Sequence, residues 1–368
     1  MNSLTLRMAS ICLVLVAGFA AMAETDAKPS DSDAWSGWEA IKAGKIEEAS
    51  RHFQEAIARH PNDATLFLGA GLAAHLQRQE ERARAALQEA LRLDPRLTEA
   101  SLLLGEIAYG AGDIESAIRT YEAALAWVPE HPQIRDRLET WRKEMALHGT
   151  FQRTITPHFT VLFEGPAEQA LAARSLEMLE AAYWRIGTTL LAYPAEILTV
   201  ILYTDEQFRD ITRSPKWAAG LYDGKIRVPM RGALNDPGTL EKVLAHEFTH
   251  ALLRSIVPRR LPVWLDEGLA MLFEIGDTAW AEGVVRQAST LIPLSKLHGS
   301  FVQLSSDQVP LAYAESAIAV RMLFDRGGPA ALTALLNDLA AEKAFNESFE
   351  RRFFMTYSDF QTMLERNH

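Results

Sequence analysis

Between residues 30 and 131 the chain shows a pattern of apolar and small residues that repeats every 34 positions. Each copy predicts two amphipathic helices, and the proline of the copy ends the second one. Small residues let neighbouring helices approach closely, and one larger side chain per copy fills the groove between them. Five columns carry the pattern: Gly37, Gly71 and Gly105; Ala49, Ala83 and Ala117; Phe53, Leu87 and Tyr121; Ala56, Ala90 and Ala124; and Pro61, Pro95 and Pro129. An array of stacked helix pairs is therefore predicted for this part of the chain.

After Gly149 the pattern changes to one that is typical of mixed strands and helices. The predicted elements are a strand at 158–163, a helix at 168–191, a buried strand at 197–203 and a hairpin at 220–229 that turns at Asp223-Gly224. Strands precede the later helices, which favours an α+β domain. We expect this second domain to occupy residues 151–368.

The 34-residue pattern resembles the tetratricopeptide repeat, whose glycine, alanines, large residue and proline fall on the same columns. Residues 133–141 are predicted to form a capping helix, because the apolar face of the last repeat would otherwise be exposed to solvent. The resemblance implies an all-α tetratricopeptide solenoid, which we place with its capping helix at residues 35–148. Such a solenoid could offer a concave surface to a peptide or protein partner, or it could brace the second domain. The sequence does not choose between these two roles.

The first residues have the layout of a secretory signal peptide. Arg7 precedes a compact apolar run at 11–20, and Ala21-Met22-Ala23 provides a small-residue cleavage site. The run is shorter than the roughly 20 residues that a membrane span needs, which disfavours the alternative of an uncleaved anchor. We expect a signal peptide at 1–23, a linker at 24–34, no membrane span after cleavage, and a periplasmic or secreted bacterial protein.

Composition and charge narrow the possible partners and ligands. Hydrophobic residues make up 48% and charged residues 23% of the 368 residues, as in ordinary globular proteins. The net charge of −11 argues against nucleic acid as a partner, because phosphate binding needs a basic surface. The single cysteine, Cys12, lies in the predicted signal peptide. Any metal bound by the mature protein must therefore have nitrogen and oxygen ligands.

A predicted helix that begins near Pro237 carries the sequence His246-Glu247-Phe248-Thr249-His250. Residues at i and i+4 lie on one face of a helix, one turn apart, so both imidazoles can reach one ion. Glu267 follows in Trp264-Leu265-Asp266-Glu267-Gly268-Leu269-Ala270, on a second predicted helix. Two neutral imidazoles and one carboxylate leave a zinc ion (Zn2+) with net positive charge and one open position for water. We expect one zinc ion, with Glu247 beside the open position.

These two motifs together resemble those of the gluzincin metallopeptidases, specifically the compact peptidase-MA-like proteins of bacteria. The resemblance extends over about residues 155–368 and implies a thermolysin-like catalytic domain in which His246, His250 and Glu267 are the zinc ligands. Met271 departs from the thermolysin-type pattern, which has an aspartate at this position to orient a ligand histidine. Another side chain must supply that function, and Asp266 is the candidate.

Roles in catalysis and substrate binding are predicted for residues outside the proposed set of zinc ligands. As general base, Glu247 would take a proton from the attacking water and pass it to the departing amine. By resemblance to gluzincins, Tyr313, on a helix predicted at 312–325, would donate a hydrogen bond to the developing oxyanion. Tyr222 and His298 are weaker candidates for that donor. Also by resemblance, a strand formed by Ile226, Arg227 and Val228 would be the cleft edge that pairs with extended substrate; a plain hairpin strand is the alternative.

The sequence thus predicts a multidomain chain: a tetratricopeptide solenoid followed by an α+β gluzincin-like domain that hydrolyses peptides or proteins, with endopeptidase action favoured. One alternative is a non-catalytic tetratricopeptide adaptor with a structural or vestigial metal site. Another is a zinc hydrolase that acts on a non-peptide amide or ester.

Overall fold

The chain divides into two compact units between Gly149 and Thr150. The computed structural model describes residues 32–77, 79–214, 218–230, 237–257, 261–274, 278–288, 290–301 and 304–366. The predicted signal peptide and most of the predicted linker lie outside the described residues. Within the described ranges, none of the helices is both long enough and apolar enough to cross a bilayer.

The described part of the N-terminal unit consists of helices joined by short turns. They are α1 (Ser32–Lys42), α2 (Ile46–Arg59), α3 (Ala64–Leu76), α4 (Glu80–Leu93), α5 (Thr98–Gly110), α6 (Ile114–Trp127) and α7 (Pro132–His148). Asp63 caps α3 and Asp113 caps α6, each by accepting a hydrogen bond from a backbone N–H of the first turn. The first six helices form three consecutive pairs, and α7 follows as the predicted capping helix.

The 34-residue period has a direct packing explanation in these helices. A Cβ atom at Gly105 would lie 2.3 Å from the Tyr121 ring, and one at Gly71 would lie 2.7 Å from Leu87. A Cβ atom at Gly37 would meet the Phe53 ring at 2.9 Å. In each repeat the large side chain therefore packs directly against the backbone of the glycine of the same repeat. A larger residue at the glycine position would clash with it, which explains why the glycine column and the large-residue column occur together.

The capping helix is joined to the third repeat by buried polar groups. The Arg137 guanidinium donates to both carboxylate oxygens of Glu106, at 2.7 and 2.9 Å. It also lies over the rings of Tyr109 and Trp141. Tyr109 in turn donates a hydrogen bond of 2.6 Å to the buried carboxylate of Glu144. Buried charges are tolerated when they are paired in this way, and the pairing fixes the register of α7 on α5.

The C-terminal unit contains a small sheet and a larger number of helices. Its strands are β1 (Phe151–Ile155), β2 (Phe159–Glu164), β3 (Leu198–Tyr203), β4 (Leu221–Tyr222) and β5 (Ile226–Pro229). Its helices are α8 (Gln169–Leu190), α9 (Asp205–Thr212), α10 (Pro237–Ile256), α11 (Val263–Phe273), α12 (Ala279–Gln287), α13 (Gln308–Ala340), α14 (Phe345–Phe353) and α15 (Tyr357–Arg366). Short 3-10 helices lie at Pro166–Glu168 and Leu294–His298.

The sheet has the strand order β1-β2-β3-β5-β4 and is mixed. β1 and β2 form an antiparallel hairpin, whereas β2, β3 and β5 are parallel to one another. The long helix α8 carries the chain from the end of β2 back to the start of β3, and a parallel pair needs such a crossover. β4 returns antiparallel to β5 and forms one edge of the sheet.

Helix α10 packs against this sheet through the face opposite its histidines. The Phe248 ring lies 5.9 Å from that of Phe159 on β2 and 5.9 Å from that of Tyr183 on α8. Leu244, Phe248 and Leu252 are fully buried at successive turns of the helix. This apolar stripe fixes the rotation of α10, and therefore the direction in which His246 and His250 point.

Helices α11 and α13 approach each other unusually closely. A Cβ atom at Gly268 would lie 2.4 Å from the carbonyl oxygen of Ser316 and 2.5 Å from Val320. The predicted helix at 312–325 lies within α13, which runs longer and contains a kink at Gly328, where φ is +65°. Pro329 follows the kink, so the chain bends here and continues as helix beyond the end predicted at residue 325.

Candidate metal centre

The two histidines of α10 are brought together with the glutamate of α11. His246 Nε2 lies 3.1 Å from His250 Nε2. Glu267 Oε2 lies 3.6 Å from His246 Nε2 and 3.7 Å from His250 Nε2. Glu267 is almost completely buried, and the three groups are close enough to hold one metal ion.

The spacing and chemistry of these donors fit zinc. Tetrahedral zinc has ligand bonds of about 2.0–2.2 Å, which puts neighbouring ligand atoms about 3.3–3.6 Å apart. The three observed separations lie around that range. Two imidazole nitrogens and one carboxylate oxygen are also the donor set of open zinc sites that keep a position for water.

A carboxylate contacts the Nδ1 atom of each histidine ring, on the side of the ring away from the shared point. Glu274 Oε1 lies 2.7 Å from His246 Nδ1, and Asp266 Oδ1 lies 2.9 Å from His250 Nδ1. A proton on each Nδ1 donates to its carboxylate and leaves the Nε2 lone pair free to face the shared point. Asp266 therefore occupies the position that the sequence suggested for it, whereas Glu274 was not foreseen.

The carboxylates around the two histidines would make binding of a metal ion depend on pH. Burial alone would lower the pKa of His246, but the nearby carboxylates of Glu267 and Glu274 raise it to about 10. The pKa of His250 is also raised, because the charges of Asp266 and Glu267 outweigh its burial. An ion must therefore displace protons from these rings, and its affinity is expected to fall as pH falls.

Glu247 directly follows His246 on α10 and is 7% exposed. Burial raises the pKa of its carboxyl, and the neighbouring histidines His246 and His250 act in the opposite direction. Its carboxyl end packs against the backbone of Gly220, where an added Cβ would meet Oε1 at 2.6 Å. A carboxylate with a raised pKa next to the candidate metal ligands is well suited to accept a proton.

The Tyr313 hydroxyl lies within electrostatic range of the carboxylates of Glu267 and Glu247. Burial raises the pKa of its hydroxyl, and the charges of Glu267 and Glu247 raise it further. Its ring packs edge-on against Phe301, with the centroids 5.2 Å apart. His298, one of the weaker donor candidates, instead has its Nε2 3.0 Å from the Tyr357 hydroxyl and packs against Phe345.

The expectation that Ile226, Arg227 and Val228 form the open edge of a cleft is wrong. β5 lies between β3 and β4, and β4 pairs with Ile226 and Arg227 as the edge strand of the sheet. All three side chains are buried, and Arg227 donates to Asp223 Oδ1 at 2.9 Å and to Tyr203 Oη at 2.7 Å. The alternative of a plain hairpin strand describes this segment.

Sequence reasoning missed two contacts of the site, and only one of them left a signal in the sequence. Glu274 lies seven residues after Glu267, about two helical turns, so it shares a face with Glu267 at the end of α11. That spacing was a usable signal. Gly220 carries no comparable signal, because its contact with Glu247 joins distant segments of the chain.

Replacing Asp266 with alanine is expected to weaken zinc binding about 10-fold. Loss of an outer-shell partner typically costs about 10–100-fold in affinity, and the low end applies because the Asp266 side chain is 38% exposed. Competition with a chromophoric chelator measures the zinc Kd. Asp325→Ala removes an exposed aspartate from α13 and serves as the control. An unchanged Kd in Asp266→Ala would show that the Asp266–His250 contact does not orient the ligand.

Both parts of the chain match models of known protein families. Residues 197–362 match the model of the Peptidase MA superfamily. Residues 36–98 and 74–138 match two models of the tetratricopeptide repeat. These matches confirm the two resemblances that were drawn from the sequence motifs.

The chain is also similar to two curated plant proteins. It is 30% identical over 112 residues to the Hsp70-Hsp90 organizing protein of Triticum aestivum and 28% identical over 112 residues to Hsp70-Hsp90 organizing protein 1 of Glycine max. Each match covers 30% of this chain and 19% of the relative, so the chain spans about a fifth of the length of these relatives. The chain therefore combines tetratricopeptide repeats at residues 36–138 with a Peptidase MA superfamily domain at residues 197–362.

Proposed function

We propose that this protein is a zinc-dependent peptidase that holds one zinc ion with His246, His250 and Glu267. The observation that carries the proposal is the convergence of their three ligand atoms within 3.1–3.7 Å of one another. Peptidases of the MA superfamily are typically zinc-dependent, which agrees with the donor set. The buried Glu247 supplies the base that a purely structural metal site would not need.

The proposed reaction is hydrolysis of a peptide bond by water. When bound, zinc would supply Lewis acidity and lower the pKa of a water molecule at the open position. The Glu247 carboxylate accepts a proton from this water as the water oxygen bonds to the carbonyl carbon. Glu247 then gives the proton to the amine nitrogen as the C–N bond breaks. The Tyr313 hydroxyl donates a hydrogen bond to the carbonyl oxygen as negative charge develops there.

The repeats support a further part of the proposal, that the protein recruits a protein partner or substrate through them. Tetratricopeptide arrays bury a continuous core between neighbouring repeats and present extended surfaces on which other chains bind. The signal-like segment at residues 1–23 supports export, and we propose a periplasmic or secreted location on that basis.

The test is metal analysis of the purified protein combined with peptide hydrolysis before and after chelation. We expect about one zinc per chain, hydrolysis of a pool of internally quenched peptides, loss of activity with a chelator, and recovery after zinc is restored. The same protein is assayed with small esters. Hydrolysis of esters alone would replace the peptidase proposal with a different hydrolase, and bound zinc with no hydrolysis would favour the adaptor.

A further inference from the structure

Gly220 leaves the space that the Glu247 carboxyl group occupies. A Cβ atom built at Gly220 would lie 2.6 Å from Glu247 Oε1, 2.8 Å from Cγ and 3.0 Å from Cδ. All three nearest atoms belong to this one side chain. The backbone of Gly220 lies outside the left-handed region, so conformational freedom does not explain the glycine. What requires it is the close approach of Glu247.

Gly220 is joined directly to the sheet. Gly220 directly precedes β4, which pairs with β5, and β5 pairs in turn with β3. Within this hairpin the fully buried Arg227 bonds to Asp223 and Tyr203 and so joins the turn to β3. Side-chain torsions, in contrast, change by simple rotation. A methyl group at position 220 would therefore move the carboxyl of Glu247 and leave the hairpin in place.

We propose that Gly220 is a positioning residue: its bare backbone sets where the Glu247 carboxylate lies relative to the water that it deprotonates. The inference rests on the proposed function, in which Glu247 is the general base. A misplacement of about 1 Å can lower a rate about 100-fold when proton transfer depends on short contacts. Because the three nearest atoms to an added Cβ all belong to Glu247, we expect Gly220→Ala to leave the zinc Kd nearly unchanged.

The test compares Gly220→Ala with Gly283→Ala, a control at a position of α12 where an added Cβ has open space. In Gly220→Ala we expect kcat to fall about 10- to 100-fold, with little change in KM or in the zinc Kd. In Gly283→Ala all three quantities stay at the wild-type values. A fall in activity together with loss of zinc would overturn the inference, because it would indicate damage to the ligands.

A second measurement does not need peptide hydrolysis. Crystal structures of the wild type, Gly220→Ala and Gly283→Ala are compared at the Glu247 carboxyl group. We expect this carboxyl group to be displaced in Gly220→Ala and to keep its place in Gly283→Ala. The proposed function fails if the wild type does not hydrolyse peptides. The positioning inference fails separately if the carboxyl group has the same position in Gly220→Ala and the wild type.

A shortened side chain at position 247 keeps the inference testable if Gly220→Ala folds poorly. Glu247→Asp retracts the carboxylate by one methylene and opens space beside position 220. In this background Gly220→Ala should fold normally and cause no further fall in kcat, so that the two substitutions are not additive. A fold or rate defect of the same size in both backgrounds would show that the alanine methyl acts on something other than Glu247.

Discussion

Replacing Glu247 with glutamine is expected to lower kcat for peptide hydrolysis about 10²- to 10⁴-fold while zinc remains bound. General-base catalysis contributes rate factors of this size, and an amide cannot accept the proton of the attacking water. Glutamine has nearly the shape of glutamate, so it still packs against Gly220, and His246, His250 and Glu267 are unchanged. The measurement is kcat with an internally quenched peptide, together with the zinc content of the same preparation.

The pH dependence of this variant provides a second signature. In the wild type, activity should fall as pH decreases through the pKa of Glu247, which burial raises above its ordinary value. The residual activity of Glu247→Gln should lack this limb, because an amide does not titrate in that range. Glu241→Gln makes the same charge change six residues earlier on α10 and should leave kcat unchanged. Full activity in zinc-loaded Glu247→Gln would contradict the proposed mechanism.

The repeat domain could be predicted from the sequence because its packing is local and recurs three times. Each of Gly37, Gly71 and Gly105 meets the large residue 16 positions later in its own copy. Such a contact leaves a column pattern that self-comparison detects. The Arg137–Glu106 pair has no counterpart in the other copies, so the same comparison could not reveal it.

The convergence of the proposed metal ligands could be predicted for a related reason. The spacing of His246 and His250 encodes their shared face directly through helix geometry. Glu267 could be assigned because its motif resembled a known one, and the structure brings it to the histidines. The spacing between separate helices does not by itself specify which carboxylates meet.

The sheet shows where sequence patterns stop being informative. Ile226 and Val228 alternate with Arg227 as expected for an edge strand with one exposed face. Burial of Arg227 depends on partners that the pattern does not contain, namely Asp223 and the Tyr203 hydroxyl. Strand order also depends on long-range pairing, so the alternation could not show that β4 covers the outer side of β5.

Replacing Gly268 with alanine is expected to destabilise the C-terminal unit by about 1–3 kcal/mol and to weaken zinc binding. The added methyl would overlap the Ser316 carbonyl oxygen, a backbone atom that cannot move away unless α13 moves. Overpacking of this kind typically costs about 1–3 kcal/mol. Gly268 directly follows the proposed ligand Glu267, and Ser316 lies one turn from Tyr313, so separation of the two helices displaces both functional groups. Urea unfolding and the zinc Kd measure the two effects.

Gly283→Ala again provides the matched control, since it adds the same methyl to a helix without a clash. Alanine has a higher helix propensity than glycine by up to about 1 kcal/mol, so this control should be at least as stable as the wild type. Val320→Ala in the Gly268→Ala background removes the second overlapping atom and should restore part of the zinc affinity. Zinc binding by Gly268→Ala that is as tight as in the wild type would contradict this expectation. That result would mean that α11 and its contacts with α10 position Glu267. The close approach of α13 would then serve stability alone.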